Sequence, residues 1–508
     1  MDDVFYVTTP IYYVNDIPHI GHAYTTILAD VLARYARLRG QDTFFLTGTD
    51  EHGQKVQDAA QKLGVTPQSH ADAMMLRFQR AWDYLHIAND DFIRTTQPRH
   101  TRVVTAVLQT LWDKGEIYLG SYEGWYCVHD ERYWTEKDLV DGNCPDCSRP
   151  VERLVEPNYF FRMSAYQEWL IDYITTHPTF IQPETRRNEV LGFLRQPLGD
   201  LCISRPVERL SWGIPFPFDP HYVTYVWFDA LINYITAVGY LADDARFARW
   251  WPQAMHLIGK DILITHTVYW PTMLRAMGLP QPKTIFAHGW WLSGGTKMSK
   301  SLGNVVNPIH MAEVYGVDAF RYFLIRDMVL GRDADFDVNS LRSRYQADLA
   351  NDLGNLLHRL VNMIGRYCQG RVPPCGAFTP EDVSLRACSL AAVERAFALV
   401  EALALNEALA HIMGIVGEVN RYLERTTPWV QAKQGQIERV DTILYTAAET
   451  LRLVSLLLQP VLPERMGEVW RRLGWQPPET LNAGLSWGLL KPGSAVIAGA
   501  PLFPRDIS

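Results

Sequence analysis

The first fifty residues alternate between strand and helix, which restricts this part of the chain to a parallel sheet covered by helices. The segment Phe5–Thr9 is short, apolar and rich in β-prone residues, so it predicts a buried strand. From Ala23 to Leu38 apolar residues recur at helical spacing, and Gly40 then ends the helix. Thr43–Thr47 predicts the next strand and completes a strand-helix-strand unit. Ligands of open parallel sheets bind beyond the carboxyl ends of the strands, so functional residues are expected there.

Two histidines lie at the first turn of the predicted helix. The N–H groups and the dipole at that end of a helix can hold a phosphate. His19 and His22 are three residues apart, so both can face one ligand, and Gly21 leaves room for a nucleotide against the backbone. A zinc pair or two core histidines are the alternatives. The zinc-protease pattern is excluded, because it requires spacing of four and a glutamate.

A second candidate segment is residues 293–304, with the sequence SGGTKMSKSLGN. Its glycines predict a mobile loop, and Lys297 and Lys300 give this loop two cations that could close over a polyphosphate. A lysine pair in a Gly/Ser loop is, by itself, usually a solvated surface feature. The combination with the histidine pair is far more specific than either segment alone.

Both segments resemble the signatures of the class I aminoacyl-tRNA synthetases. His19-Ile20-Gly21-His22 and Lys297-Met298-Ser299-Lys300-Ser301 match the HIGH and KMSKS signatures letter for letter. The resemblance extends over nearly the whole chain to the bacterial methionyl-tRNA synthetase family. The other segments that carry it are 8–15 (TTPIYYVN), 47–53 (TGTDEHG) and 225–230 (YVWFDA).

The resemblance implies a ligase with two reaction steps. The carboxylate of L-methionine would attack ATP to form methionyl-adenylate and pyrophosphate, and the methionyl group would then pass to the 3′-terminal ribose of tRNA(Met), including the initiator tRNA. His19 and His22 would stabilise charge on the α-phosphate. Lys297 and Lys300 would close over the leaving pyrophosphate, with Mg²⁺ sharing that charge.

The resemblance also assigns the substrate contacts. Asp50 would hold the ammonium group of methionine, and a fixed carboxylate is suited to that role. Gly259 would lie against the ATP ribose, and Asp261 would accept its hydroxyl groups. Aromatic and aliphatic walls suit a polarisable thioether, although such residues more often form plain core. The implied side-chain pocket consists of Ile11, Tyr13, Trp227, Ala230, Leu231, Tyr234, Ile262 and His266.

The fold class expected is α/β, with a Rossmann-like parallel-sheet catalytic domain, an inserted zinc-knuckle-type domain and an all-α anticodon-binding helix bundle. Tyr222–Phe228 predicts a strand of the second half of the sheet, and Asp229–Tyr240 predicts the helix after it. The expected units are 1–115 and 221–290 (catalytic domain), 116–220 (inserted connective domain), 291–340 (KMSKS loop and stem-contact region) and 341–508 (anticodon-binding domain).

Three cysteines in the predicted insertion indicate a zinc knuckle. Cys144 and Cys147 have the spacing of a knuckle, and Cys127 precedes them. Zinc-bearing members of the family place a further cysteine three residues after Cys127, where this chain has Asp130, preceded by His129. Either one structural Zn²⁺ is bound by the three cysteines with Asp130 or His129, or the knuckle persists without metal.

Anticodon contacts are implied in the helical region. Asn355 and Arg359 are four residues apart on one helix face, and Trp429 follows a proline at a helix start. Without the resemblance, a solvated face and a capping core aromatic would be the better interpretations. By resemblance the three residues contact the CAU anticodon, and an amide, a guanidinium and an indole suit unstacked bases.

Composition limits the class of protein. The 508 residues predict two to four domains, and 47% hydrophobic residues suffice for real cores. No apolar run reaches membrane-spanning length and the acidic start is not a secretory signal, so no membrane contact and a cytoplasmic location are expected. The net charge of −8 argues against indiscriminate nucleic-acid binding. It does not exclude tRNA, because folded RNA is recognised largely by shape.

Several related functions compete with this interpretation. Nucleotidyltransferases share the histidine signature but are single small domains, and the leucine, isoleucine and valine synthetases carry a large editing domain. The cysteine synthetase would place a zinc-binding cysteine near Ile11. A non-catalytic tRNA-binding paralogue is the alternative from a different class. The chain ends soon after the predicted bundle without a tRNA-binding barrel, so a monomer is expected.

Overall fold

The computed structural model describes residues 4–15, 17–129, 132–134, 136–145, 147–298 and 305–505. No helix in this described part is both long enough and apolar enough to cross a membrane. The N-terminal part alternates strands and helices as predicted. It consists of β1 (Val4–Thr8), β2 (Tyr12–Tyr13), α1 (Ile20–Leu38), β3 (Asp42–Asp50), α2 (Gln54–Leu63), α3 (Pro67–Tyr84), β4 (Asp91–Arg94) and α4 (Pro98–Asp113).

The next part contains a smaller antiparallel sheet. Its two long strands pair from Ile117 opposite Phe161 to Tyr126 opposite Glu152. The elements are β5 (Ile117–Cys127), β6 (Arg132–Trp134), β7 (Glu152–Phe161), α5 (Gln167–Thr176), β8 (Ile181–Gln182), α6 (Glu184–Phe193), β9 (Leu201–Cys202), β10 (Ser204–Pro206) and β11 (Tyr222–Thr224). The sheet order is β6-β5-β7-β9, whereas β10 and β11 form a separate antiparallel pair.

The chain then returns to the parallel sheet and continues into a short helical segment. The elements are α7 (Val226–Leu231), α8 (Asn233–Thr236), α9 (Asp244–Trp250), β12 (Ala254–Gly259), α10 (Trp270–Met277), β13 (Thr284–His288), β14 (Trp291–Ser293), β15 (Thr296–Lys297), α11 (Pro308–Tyr315), α12 (Val317–Asp327), β16 (Ala334–Asp335) and α13 (Val338–Arg344).

The predicted strand Tyr222–Phe228 is wrong in its second half. The strand ends at Thr224, and helix α7 begins at Val226. Val226 and Phe228 are buried as helix residues, so packing against the core overrides their β propensity.

The central sheet has the order β2-β3-β1-β12-β13-β8, and β4 pairs with β3. All of its described pairings are parallel. The chain moves from β1 to β3 on one side, while β12 lies on the other side of β1. The crevice beyond the carboxyl ends of β1 and β12 is therefore a topological switch point, where α/β proteins bind ligands. The Rossmann-like parallel-sheet prediction is confirmed.

The last third of the chain is helical, and the predicted helix bundle is confirmed. Helix α18 lies at its centre and is buried from Thr442 to Leu458. The C-terminal tail packs against this helix, because Glu449 accepts hydrogen bonds from three main-chain N–H groups of residues 488–490. The bundle helices are α14 (Asn355–Tyr367), α15 (Pro380–Glu401), α16 (Leu405–Thr426), α17 (Pro428–Lys433), α18 (Ile437–Leu458) and α19 (Pro463–Arg472).

A buried arginine joins the parallel-sheet region to the bundle. Arg321 on α12 is fully buried and forms an ion pair with Asp30 of α1 at 2.6 Å. It also donates hydrogen bonds to the main-chain carbonyl groups of Leu85, Pro460 and Val461. Asp30 pairs in addition with Arg34 of its own helix. One guanidinium group thus connects helix α1 to α12, to the chain at Leu85 and to the chain at residues 460–461.

Replacing Arg321 should destabilise the protein strongly. Arg321→Met should lower the free energy of unfolding by about 3 kcal/mol or more, because it leaves a buried carboxylate and three buried carbonyl groups short of partners. Urea unfolding followed by circular dichroism measures this loss. Arg37→Ala, which removes an exposed ion pair with Asp90, should cost under about 1 kcal/mol. Equal losses in the two variants would contradict the buried role of Arg321.

Candidate active site

The candidate active site is the crevice at the carboxyl edge of the central sheet. At this edge Thr8 of β1 lies between Leu46 of β3 and His256 of β12. One strand further, Gly259 of β12 lies beside His288 of β13. Helix α1 begins at the same edge, so its first turn, the end of β3 and the loops after β12 and β13 all face one space.

The histidine pair lies at the start of α1 in a defined geometry. His19 is the N-cap residue, and its Nδ1 accepts a hydrogen bond of 3.1 Å from the N–H of Gly21. The Nδ1 of His22 accepts from the N–H of His19 at 3.4 Å. The two rings stack with their centroids 3.7 Å apart. Since both Nδ1 atoms are acceptors, each neutral ring carries its proton on Nε2, which can donate to a phosphate oxygen.

His22 is held in the neutral state. Burial and the neighbouring His19 lower the pKa of His22 well below its ordinary value. Its ring packs against Tyr12 and Phe78, with centroid distances of 4.7 and 5.6 Å. A neutral imidazole at this position is a hydrogen-bond donor near pH 7 rather than a fixed cation.

Position 21 favours glycine because the ring of His19 lies close to it. A Cβ atom at this position would lie 2.9 Å from Cε1 of His19. Any side chain would therefore push the His19 ring out of its capping position. The expectation from the sequence was room for a nucleotide, whereas the described contact is with the histidine ring.

Several residues of the predicted methionine pocket lie together in the structure. Their aromatic rings and polar groups form one cluster. The Nδ1–H of His266 donates to the carbonyl of Ile262 at 3.0 Å, so its Nε2 accepts from the hydroxyl of Tyr234 at 2.9 Å. Trp227 lies edge-on to His266, with ring centroids 6.3 Å apart. Burial lowers the pKa of His266 to about 4 and outweighs the opposing effects of Ile262 and Asp261. The His266 ring in the pocket wall is therefore neutral near pH 7.

The remaining predicted pocket residues border this cluster. Asp50 is buried at the end of β3, and Tyr13 of β2 lies beside it in the sheet. Burial raises the pKa of Tyr234, and Tyr12 and the charge of Asp50 contribute to the same shift. Ala230 and Leu231 are buried on α7, and Ile11 is half-buried just before β2.

A buried acidic residue behind the pocket was missed from the sequence. Asp229 on α7 accepts hydrogen bonds of 2.6 Å from Nδ1–H of His52 and from Nε2–H of His100. Burial alone would raise the pKa of Asp229, but the two histidines hold it below its ordinary value. The carboxylate connects the strand end that carries Asp50 to the helix that carries Trp227. An acidic residue inside the apolar run 223–232 was the available signal.

The other side of the crevice contains Gly259, the glycine that is expected to lie against the ribose. A Cβ atom at Gly259 would overlap a carboxylate oxygen of Asp261, so a side chain there would displace this carboxylate. Beside it, the Nδ1–H of His288 donates to the carbonyl of Gly289, and its Nε2 lies 2.7 Å from the hydroxyl of Thr25. This contact connects β13 to the first turns of α1.

The structure describes only part of the KMSKS segment. The main chain of Lys297 lies in β15, opposite Leu292 of β14. Lys300 lies outside the described residues, as does the rest of the segment from 299 to 304. The structure therefore describes the strand pair that leads into this segment.

Three cysteines form a candidate metal centre in the smaller sheet. The sulfur atoms of Cys127, Cys144 and Cys147 all lie within 4.8 Å of one another, and Cys127 and Cys147 are 3.5 Å apart. Sulfur atoms that share one tetrahedral zinc ion lie at a similar separation, so the donor set fits zinc. Asp130 lies outside the described residues, and His129 is exposed.

The predicted anticodon residues lie on two bundle helices. Asn355 and Arg359 are half-buried on α14, and Trp429 is half-buried on α17. Arg359 donates a hydrogen bond of 2.5 Å to Glu424 of α16. The guanidinium group is thus paired across the helix interface with an exposed carboxylate.

Comparisons with known proteins agree with this geometry. The family model for class I tRNA synthetases (M) matches residues 5–156 and 150–361. The methionine–tRNA ligase of Thermotoga maritima is 47% identical over 505 residues, which cover 99% of this chain and 80% of the relative. The ligase of Streptomyces coelicolor is 45% identical, with 99% and 96% covered. The structure of Mycobacterium tuberculosis methionyl-tRNA synthetase in complex with methionyl-adenylate matches with a TM-score of 0.94 and 42% identity, covering 99% of this chain and 100% of that one.

The buried His266 should make stability depend on pH. Its pKa is about 4 in the folded protein, against an ordinary value of 6.5. The unfolded chain binds this proton more readily, so the contribution is fully present above about pH 7 and is lost as pH falls towards 4. Between pH 7 and pH 5 the wild type should lose about 2 kcal/mol more than His266→Gln.

Urea unfolding at a series of pH values measures this difference. Tyr234→Phe is the matched control, because it removes the hydrogen bond to His266 but keeps the titrating ring. This variant should retain most of the pH dependence. Parallel pH curves for the wild type and His266→Gln would contradict the assignment.

Proposed function

Because the chain belongs to the methionine–tRNA ligases, which are class I tRNA synthetases, we propose a chemical role for each group of residues at the crevice. The protein is an enzyme that activates L-methionine with ATP and charges tRNA with the product. The matches give no support to the non-catalytic tRNA-binding alternative. The similarity to a synthetase in complex with methionyl-adenylate, along the full length of both chains, carries this conclusion.

The first step is proposed to depend on the histidine pair. The carboxylate of methionine attacks the α-phosphorus of ATP in line, and pyrophosphate leaves. This step needs positioning and charge stabilisation rather than a covalent intermediate with the protein. The Nε2–H groups of His19 and His22 would donate to oxygens of the α-phosphate. Lys297 and Lys300 would neutralise the leaving pyrophosphate, an assignment that rests on the signature alone.

Methionine is proposed to lie across the carboxyl edge between β3 and α7. The carboxylate of Asp50 would pair with the ammonium group. The thioether would lie against the rings of Trp227, Tyr234 and His266, which suit a polarisable sulfur. Ile11, Tyr13, Ala230, Leu231 and Ile262 would complete the pocket.

ATP is proposed to occupy the other side of the same edge. Its ribose would lie against Gly259, and its hydroxyl groups would donate to Asp261. Gly21 would keep His19 in place below the phosphates. Mg²⁺ would accompany ATP and neutralise phosphate charge, and we assign it no protein ligand because the phosphates supply most of its coordination.

Transfer to tRNA is proposed to be coupled to contacts in the bundle. Asn355, Arg359 and Trp429 would contact anticodon bases of tRNA(Met), including the initiator tRNA. Arg359 must exchange its partner Glu424 for RNA when it does so. Arg359→Ala should therefore weaken charging without slowing activation in the absence of tRNA, and equal losses in both steps would refute this role.

One structural zinc ion is proposed for the cysteine cluster. Cys127, Cys144 and Cys147 would supply three thiolates, and Asp130 or His129 would supply the fourth ligand. A fully coordinated zinc stabilises a fold and offers no open position for substrate. One zinc per purified chain, lost in Cys144→Ser, would support this site, and absence of zinc from the purified protein would refute it.

We also propose an oligomeric state, a cellular location and a division of the chain into units. The enzyme is proposed to act as a monomer in the cytoplasm, which gel filtration and fractionation of cells would test. The proposed units are 1–115 and 221–290 for catalysis, 116–220 as the connective insertion, 291–340 for the KMSKS loop and stem contact, and 341–508 for the anticodon.

The proposed activity is tested by ATP–pyrophosphate exchange with each of the twenty amino acids in the absence of tRNA. Exchange should occur with methionine and remain near background with the other nineteen, because the pocket excludes polar side chains and fits apolar side chains of another shape less well. Exchange with a different amino acid would overturn the pocket assignment. Background exchange with all twenty would overturn the activation step.

His19→Asn separates the capping and catalytic roles of His19. Asparagine is a good N-cap, so the variant should retain the start of α1 and melt within a few degrees of the wild type. It lacks the Nε2–H donor, so adenylate formation should slow by about 100-fold. Single-turnover release of pyrophosphate measures this rate. His19→Ala, which loses both functions, should be equally slow and less stable. Adenylate formation at the wild-type rate in His19→Asn would exclude a catalytic role.

A further inference from the structure

Two loops at the carboxyl edge carry the proposed nucleotide contacts, and a third segment joins them. The loop after β12 contains Lys260 and Asp261. The chain after β13 contains Trp290 and continues through β14 into β15, which ends at Lys297. Asp333, just before β16, contacts both. None of Lys260, Trp290 and Asp333 has a role in the proposal above.

Asp333 uses both of its carboxylate oxygens. Its Oδ2 accepts a hydrogen bond of 2.6 Å from Nζ of Lys260, and its Oδ1 accepts one of 2.8 Å from the main-chain N–H of Trp290. The Nζ of Lys260 also lies 4.1 Å from the centroid of the Trp290 ring. The indole N–H of Trp290 in turn donates to Oδ1 of Asp261 at 3.2 Å. The four side chains form one connected cluster.

The main chain reinforces this connection. β16 pairs with β14, and the N–H of Ala334 donates to the carbonyl of Trp290. A Cβ atom at Gly289 would overlap the carbonyl of Arg332, so the two segments touch directly. At the far end of the strand pair, Asp335 accepts a hydrogen bond from the N–H of Gly295. The strand pair β14–β15 is thus attached at both ends to residues 333–335.

We propose that Asp333 is a positioning residue for adenylate formation. By holding Lys260 and Trp290 together, it fixes the strand pair that carries Lys297 relative to Asp261. Asp261 is the proposed ribose ligand, so the inference rests on the proposed function. The reaction requires the ribose end and the phosphate end of one ATP molecule to be held at a set separation, and misplacement of either by about 1 Å can cost 100-fold in rate.

A double-mutant cycle between Lys260 and Asp333 tests this role. Both side chains are partly exposed, at 19% and 33%, so the variants should fold. Lys260→Met and Asp333→Ala should each lower kcat/KM for ATP in methionine-dependent exchange by about 10-fold. The double variant should also lose about 10-fold rather than 100-fold, because both changes break the same contact between Lys260 and Asp333. KM for methionine should stay within about twofold of the wild type.

Two further variants test whether the lower exchange rates result only from a disturbed fold. Asp333→Asn keeps the acceptor for Trp290 and removes only the charge that holds Lys260, so it should lose about as much as Lys260→Met. Asp42→Ala breaks an exposed ion pair with Arg249 at the opposite edge of the sheet and should leave exchange unchanged. Transfer of methionine from preformed methionyl-adenylate to tRNA should be normal in all variants.

The outcomes separate this inference from the proposed function. If the wild type exchanges with methionine but Asp333→Ala behaves like it, the positioning role alone is refuted. Losses that multiply in the double variant, or equal slowing of the transfer step, also refute it. If the wild type does not exchange with methionine, the proposed function fails whatever the variants do.

Discussion

Helix α1 must lie in one position for the histidine pair, the central sheet and the helix bundle to come together. Its first turn carries both histidines, and the helix itself is buried on nearly every side. Three polar contacts fix it along its length. Thr25 contacts His288 of β13, Asp30 pairs with the buried Arg321, and the hydroxyl of Tyr35 donates to the carbonyl of Leu457 in the bundle. These contacts connect the bundle and α12 to the helix that carries the histidine pair, and any coupling between the proposed tRNA contacts and the proposed chemistry would depend on them.

The electrostatic character of the crevice follows from burial. The pKa values of His22, His256, His266 and His288 are all lowered, and burial is the main cause in each case. The site therefore offers neutral hydrogen-bond donors and acceptors in fixed tautomers, set by main-chain partners such as the carbonyl of Ile262. Preorganised neutral donors can stabilise charge that develops on a phosphate without the cost of reorienting water. Asp50 and Asp261 are the acidic groups proposed to bind the ammonium and hydroxyl groups of the substrates.

Residue patterns predicted the architecture better than the contacts within the site. The alternation over residues 5–47 predicted the parallel sheet, because that pattern is local and periodic. The strand assigned to Val226–Phe228 failed because β propensity gives way to packing. The partners of Asp229 and Asp333 could not be found from local sequence, since they are up to about 180 residues away and become neighbours only in the fold. The resemblance named His266 and Tyr234, but no residue pattern indicated that they hydrogen-bond to each other.

The central claim is that the histidine turn, the 259–261 loop and the aromatic pocket bind parts of one molecule. A crystal structure with a non-hydrolysable analogue of methionyl-adenylate tests it most directly. We expect the ribose at Gly259 and Asp261, the phosphate mimic within hydrogen-bonding distance of Nε2 of His19 or His22, and the thioether against Tyr234 and His266. An analogue bound away from the histidine turn, or with its thioether outside that pocket, would contradict the account.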